Sequence, residues 1–349
     1  MNEPDPFATD TYAYDLPSEL IAQSPAQARD QSRLLVLGKN GERRHLVFSD
    51  LPQLLRRGDL VVANDTRVLP ARFLPKRSRG GAAQILLLHP LTEPGTWLAM
   101  ARPGKRVRPG DRLSLGPDEG IEIVNWAAGG NRVVRFYGMD ADSAMQRYGI
   151  VPLPPYIRTV TTNAKERYQT VYAKQDGSVA APTAGLHFTP ELLERMRLSG
   201  IGWTTITLDV GAGTFRPVSV PDIRRHIMHK ERYEISQAAA NAIAQAKQNG
   251  GRVIAVGTTT LRALEDSARA SPDGSVQSGS RWTSLFIHPP DTVTTVDGMI
   301  TNFHLPRSTL LMLVCAFAGT DHILSAYADA ARMGYRFYSF GDAMFLERR

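Results

Sequence analysis

Residues Ala71 to Tyr137 read ARFLPKRSRGGAAQILLLHPLTEPGTWLAMARPGKRVRPGDRLSLGPDEGIEIVNWAAGGNRVVRFY, and the organisation of the 349-residue chain turns on this stretch. Six short strand candidates follow one another: Ala71–Leu74, Gln84–His89, Trp97–Ala101, Arg112–Leu115, Ile121–Trp126 and Arg132–Tyr137. Gly, Pro and Asp separate them, and no helical period intervenes. Evenly spaced short strands with turn signals predict a small antiparallel β-barrel. On both sides the texture is different. Arg33–Leu37 and His45–Phe48 read as a hairpin around Lys39-Asn40-Gly41. Beyond Asp140 strands alternate with capped helices: Thr189-Pro190 opens a helix that Gly200 ends, Ser236 caps another through Gln248, and Thr258–Thr260 opens a third. Ser308–Ala318 and Asp321–Met333 read as helices, Trp203–Leu208, Arg252–Val256 and Thr283–Ile287 as strands, and Tyr335–Phe345 as a closing hairpin. Alternation of this kind predicts α/β layering. The expected fold is therefore an α/β main domain, residues 1–68 and 140–349, with a six-stranded antiparallel β-barrel inserted at 69–139.

Charge is concentrated in the same place. Between Arg67 and Arg112 stand ten basic and two acidic residues, a local balance of +8 in a chain that totals +7, so the remainder carries −1. A concentrated positive field suits a polyanion, although a solvated basic surface would look the same. Arg67, Arg72, Lys76, Arg77, Arg102, Lys105, Arg106 and Arg108 are the candidate nucleic-acid contacts. The single cysteine, Cys315, excludes an internal disulfide and any multi-cysteine zinc or iron–sulfur site. The longest apolar run, Leu310–Ala318, is too short for a membrane span. Met1–Tyr14 has acids and prolines where a signal peptide has basic and then apolar residues. A cytoplasmic protein without a membrane partner is expected, and with no coiled-coil seam, a monomer.

Several glycine-bearing polar segments stand at strand ends, where α/β proteins bind ligands. Asp209-Val210-Gly211-Ala212-Gly213-Thr214-Phe215 could bring backbone amides and a ring to a ligand, or be a tight turn. Val256-Gly257-Thr258-Thr259-Thr260-Leu261-Arg262 aims a helix N-terminus at a polar group, or is simply capped by threonine. Thr183-Ala184-Gly185-Leu186-His187 sets an imidazole beside a glycine turn, as an acid–base group or a structural hydrogen-bonder. His226, His229 and Glu231 could form an acid–base cluster or ligate zinc, but no third ligand lies at a recognised spacing. His304 precedes the helix that Ser308 caps. From the residues alone the reading ends at an α/β enzyme carrying a basic β domain and acting on nucleic acid.

Taken together, these segments closely resemble the S-adenosylmethionine:tRNA ribosyltransferase-isomerase family of the queuosine pathway. The likeness runs from about Tyr14 to Leu346 and is carried by Tyr14–Pro17, Arg29–Leu34, Asn64–Val68, Pro182–Phe188, Asp209–Phe215, His226–Glu231, Val256–Arg262, Thr301–Leu311, Tyr335–Phe337 and Gly341–Ala343. Pro290 departs from it, standing where the pattern has glycine. The resemblance implies transfer and isomerisation of the ribosyl part of S-adenosylmethionine onto 7-aminomethyl-7-deazaguanine in the tRNA anticodon loop. Epoxyqueuosine-tRNA, adenine and methionine would result. S-adenosylmethionine would be consumed as a substrate, with no cofactor and no metal. The resemblance also implies an α/β domain with an inserted β-barrel. Among the titratable groups of the matched motifs, His187, His229, Glu231 and Asp209 are the expected catalytic residues. Thr183, Gly185, Gly211, Gly213, Thr214, Phe215, Thr258, Thr259, Arg262 and His304 are the expected contacts to S-adenosylmethionine or the base. The rivals are an RNA methyltransferase using S-adenosylmethionine, which would leave adenosylhomocysteine, and a non-catalytic tRNA-binding protein.

Overall fold

The computed structural model describes residues 5–77, 80–154, 156–157, 166–209, 211 and 217–349. They fall into two compact units, Met1–Thr66 with Pro155–Gln175 and Ala181–Arg349, and Arg67–Pro154 with Asp176–Ala180.

The first unit is built on a nine-stranded sheet in the order Gly279–Thr283, Glu231–Ile235, Gly202–Leu208, Leu60–Asn64, Val253–Val256, Gly298–Asn302, Ala343–Glu347, Arg33–Leu37, Arg43–Val47. The four strands from Gly202–Leu208 to Gly298–Asn302 are parallel, with Val61 opposite Trp203 on one side and Ile254 on the other. Leu60–Asn64, Val253–Val256 and Gly298–Asn302 are buried along their whole length, as apolar runs in a parallel sheet should be. One core cluster gathers Leu34, Phe48, Val61, Phe188, Leu192, Ile254, Ile300 and Phe345.

The helices start where side chains cap them. Thr189 accepts from Leu192 N at 3.1 Å with Pro190 following, Ser236 from Ala239 N at 3.1 Å, and Ser308 from Leu311 N at 3.2 Å. These caps open Pro190–Leu198, Gln237–Gln248 and Thr309–Ala318. No single helix among the described residues is long and apolar enough to cross a membrane.

Two expectations are corrected. Tyr335–Phe345 is not a hairpin: only Ala343–Glu347 is a strand, and it joins the main sheet beside Arg33–Leu37 and Gly298–Asn302. The preceding turn is tied by Asp342, whose carboxylate accepts from Arg33 N at 2.9 Å and Arg336 N at 2.8 Å. The strand expected at Thr283–Ile287 lies four residues earlier, at Gly279–Thr283, because its partner Glu231–Ile235 pairs with that register. At Pro290 the chain has a cis Pro289–Pro290 peptide.

The second unit holds one antiparallel sheet in the order Arg72–Phe73, Gln84–Pro90, Thr96–Arg102, Arg132–Tyr137, Glu119–Trp126, Arg112–Gly116, Lys76–Arg77. The six expected strands are present, but Lys76–Arg77 makes a seventh. Both edge strands belong to one short chain segment, interrupted at Leu74-Pro75, so the sheet curls to bring its edges together. No ladder joins those edges among the described residues. Proline has no amide hydrogen to donate to such a ladder. The result is a curled seven-stranded sheet rather than a six-stranded barrel. Its concave side buries Phe73, Ile85, Leu113, Ile121 and Val134. Helix Ala141–Tyr148 also belongs to this unit, capped by Asp140 and tied through Arg147 and Tyr148 to Glu119. The unit thus reaches beyond residue 139.

Candidate active site

The carboxyl ends of the four parallel strands lead into Asp209, Asp65, Gly257 and Phe303, so the polar segments between them share one edge of the sheet. This is where an open α/β sheet leaves room for a ligand. Asp65 and the side-chain oxygen of Asn64 are spent on the scaffold. Asn64 Oδ1 accepts from Thr66 N at 3.0 Å and Leu208 N at 3.1 Å, and Asp65 accepts from the hydroxyls of Thr205 and Thr207, both at 2.8 Å.

A cleft lies at this edge. Three segments wall it: Ala181–Ala184, Gly257–Thr259 at the start of helix Thr258–Arg269, and Thr301–Leu305. Gly257 has φ +92°, which lets the strand turn abruptly into the helix. Of the expected contacts, the cleft brings together Thr183, Thr258, Thr259 and His304.

Tyr156 and Tyr338 complete the wall, their ring centroids 4.4 Å apart at 52°. The Tyr156 hydroxyl hydrogen-bonds to Ser339 Oγ. Tyr338 has φ +74°, an unusual conformation for a bulky residue, and its buried hydroxyl has no partner among the described residues. Asn302 Oδ1 is buried and likewise unsatisfied. Buried polar atoms of this kind ask for an explanation, and a ligand supplies one. Tyr156 and Tyr338 are not among the expected residues, and Asn302 stands in the matched stretch Thr301–Leu311 with no role assigned. The signals available were weak: Tyr156 follows the proline run Val151–Pro155, and Tyr338 follows the matched Tyr335–Phe337.

His187 is buried just behind the cleft wall. Asn302 Nδ2 donates to its Nε2 at 3.1 Å, and its Nδ1 donates to Ser32 Oγ at 2.7 Å, while Phe48 stacks on the ring at 5.0 Å. Burial, reinforced by the charges of Arg336, Arg29 and Arg167, pushes its pKa down to about 3. His304, whose Nε2 is 2.8 Å from Thr301 Oγ1, is also pushed down to about 3 by burial. Both imidazoles are therefore neutral in the folded chain across the pH range where free histidine titrates. From pH 6.5 down towards 3 the unfolded chain binds protons that the folded chain refuses, so stability falls as pH falls through this window. Melting temperature is expected to decline steadily below pH 6.5, and His187→Gln/His304→Gln to decline less steeply. Equal slopes would place the effect in other groups.

The other expected residues separate. Glu231 is buried in an ion pair with Arg262, which is itself buried and pushed down to about 10, chiefly by desolvation. Gly211 N donates to Glu231 at 3.4 Å. Asp209 is half-buried at the end of its strand, 4.0 Å from Arg232. His229 is exposed, and His226 packs edge-on against Phe286 at 5.6 Å. No three of His, Cys, Asp and Glu converge on a metal position among the described residues. Gly185 sits against the Tyr172 hydroxyl, where an added Cβ would lie 2.0 Å from that oxygen. Its requirement is close packing. Gly213, Thr214 and Phe215 lie outside the described residues.

In the second unit Arg102, Lys105, Arg106 and Arg108 are exposed, at the end of strand Thr96–Arg102 and on the turn that follows it. Arg132, missed in the sequence, holds that turn. Its side chain is fully buried and donates to the carbonyls of Val107, Gly104, Gly130 and Asn131, 3.7 Å over the ring of Trp126. Trp126, equally unforeseen, is 51% exposed beside Lys105 and Arg108. Arg67 is exposed and pairs with Asp176 at 3.4 Å, and Lys76 is exposed. Arg72 and Arg77 are half-buried, and Arg72 donates inward to Leu153 O at 2.6 Å.

Comparison with known proteins gives consistent results. A family profile described as "Queuosine biosynthesis protein" matches residues 9–346. A Heliobacterium modesticaldum protein named S-adenosylmethionine:tRNA ribosyltransferase-isomerase is 52% identical over 96% of this chain and 98% of its own. One of the same name from Natranaerobius thermophilus is 49% identical with the same coverage. The crystal structure of S-adenosylmethionine tRNA ribosyltransferase from Thermotoga maritima superposes with a TM-score of 0.55 at 34% identity, over 96% of this chain and 99% of that one.

Proposed function

The chain belongs to the family of queuosine biosynthesis proteins, and on that premise we propose that its cleft moves the ribosyl group of S-adenosylmethionine onto an aminomethyl-deazaguanine in the tRNA anticodon loop and isomerises it. Adenine and methionine leave, and epoxyqueuosine-tRNA is the product. The observation that carries this reading is the cleft itself: an aromatic pair with unsatisfied buried polar atoms at the carboxyl edge of a parallel sheet. A flat purine meets the Tyr156 and Tyr338 rings, and the Tyr338 hydroxyl and Asn302 Oδ1 gain the partners they lack. The amides of Thr258 and Thr259 at a helix N-terminus face the polar part of the ligand.

The chemistry sets three demands. The sulfonium acidifies the ribose C5′ protons, so a base must take one. Adenine leaves only with a donor on a ring nitrogen. The attacking amine must be neutral. His187, His229, Glu231 and Asp209 remain the proposed acid–base set. The neutral His187 accepts from Asn302 and so holds that amide in place in the cleft wall. No metal or cofactor is needed for these steps, and S-adenosylmethionine is spent as a substrate. The basic turn at Arg102–Arg108 takes the tRNA backbone. The protein works as a cytoplasmic monomer without a membrane partner. The RNA methyltransferase and the non-catalytic binder have no support in the names of the relatives.

The test is to incubate the protein with S-adenosylmethionine labelled in the ribose and tRNA bearing the aminomethyl base. Label is expected on the tRNA with one adenine released per transfer. Adenosylhomocysteine, or unlabelled tRNA, would end the proposal. His187→Ala is expected to slow adenine release at saturating substrates by about 10²-fold or more, with His229→Ala as the companion. Unchanged rates in both would remove the two histidines from the mechanism.

A further inference from the structure

Arg29 to Leu34 is a matched motif whose first arginine the reaction above does not use. Its first and fourth residues, Arg29 and Ser32, line a second and smaller pocket together with Arg167, His187 and the turn Ser339–Gly341. Two guanidinium groups face this space, and no carboxylate is among its lining residues. Arg29 Nη1 donates to the carbonyls of Leu186 at 3.0 Å and Arg167 at 3.4 Å, and Arg167 Nη1 donates to that of Gln27 at 3.2 Å. Arg167 Nε is buried without an acceptor among the described residues. The nearby carboxylate of Asp342 is already committed to Arg33 and to the backbone of Arg336.

Two half-buried like charges, with no carboxylate lining the space among the described residues, repel each other across it. Burial, then the charge of Arg167, lowers the pKa of Arg29 to about 10. An oxyanion in the cavity would reverse that cost, accepting charge-assisted hydrogen bonds from two planar donors and a hydroxyl. The cavity also adjoins the larger cleft. Ser339 lines both, and Asn302 in the wall of the cleft holds His187 in the wall of the cavity.

We propose that Arg29 and Arg167 bind the carboxylate at the amino-acid end of S-adenosylmethionine, while its nucleoside occupies the cleft walled by Tyr156 and Tyr338. This rests on the reaction proposed above. A phosphate of the RNA backbone has the same oxyanion chemistry, so the test separates the two sources.

Adenine release is measured with saturating aminomethyl-bearing tRNA while S-adenosylmethionine is varied, and then with the roles exchanged. Arg29→Met and Arg167→Met are each expected to raise the KM for S-adenosylmethionine about tenfold or more, with a much smaller fall in kcat and an unchanged KM for tRNA. Decarboxylated S-adenosylmethionine is expected to inhibit the wild type about tenfold more weakly than a carboxylate-bearing analogue, and to inhibit wild type and variants alike. A KM for tRNA that rises while that for S-adenosylmethionine holds would assign the cavity to RNA phosphate and overturn the proposal. Equal inhibition of the wild type with and without the carboxylate would also overturn it, and that comparison needs no variant to fold. Wild-type protein that releases no adenine would instead sink the reaction itself, and this assignment with it.

Discussion

Arg262→Met is expected to cost about 3–5 kcal/mol of folding stability, read as a shift in the urea midpoint at constant slope. The guanidinium is buried, and its ion-pair partner Glu231 is buried with it. Removing one partner leaves the other charge in a medium that solvates it poorly, and that penalty dominates the loss. Replacing both, as Arg262→Leu/Glu231→Leu, removes the stranded charge and should restore most of the stability. The same pair of variants divides the roles of Glu231. If the carboxylate moves protons in the reaction, the double variant folds but releases no adenine. If it serves only to neutralise Arg262, turnover returns with stability. A loss below about 1 kcal/mol in the single variant would show that water reaches the pair.

Reversing Arg102, Lys105, Arg106 and Arg108 to glutamate should weaken tRNA binding about a hundredfold or more at moderate salt and flatten its dependence on salt concentration. All four side chains are exposed, so each can give up its hydration to a phosphate and release a counter-ion. The turn that carries most of them is held from beneath by Arg132, so the charges are presented on a fixed frame. The KM for S-adenosylmethionine at saturating tRNA should not move. Unaltered tRNA affinity would show that this turn is not the docking surface.

Much of the fold can be read locally. Thr189-Pro190, Ser236 and Ser308 announce their helices because a cap and the first turn are neighbours in sequence. The six strands of the second unit are legible because each ends in Gly, Pro or Asp. Lys76–Arg77 escaped notice because a two-residue strand has no period to detect. Tyr335–Phe345 misled because an apolar, aromatic segment reads as paired with itself when its partners are Arg33–Leu37 and Gly298–Asn302. The site was legible in its motifs and not in its roles. Thr183, Thr258, Thr259 and His304 meet at one cleft, whereas Glu231 turns to Arg262.

Capping, strand punctuation, the concentration of positive charge and the ordered set of motifs are properties of neighbours along the chain, and the amino-acid sequence determined them unaided. Only the tertiary structure decided that His187 lies between Ser32 and Asn302, that Tyr156 meets Tyr338, and that Arg29 and Arg167 share a cavity lined by no carboxylate among the described residues. The physical reason is that a side chain's chemistry depends on its desolvation and on the charges facing it. Both are supplied by segments far away in sequence, which only folding brings within reach.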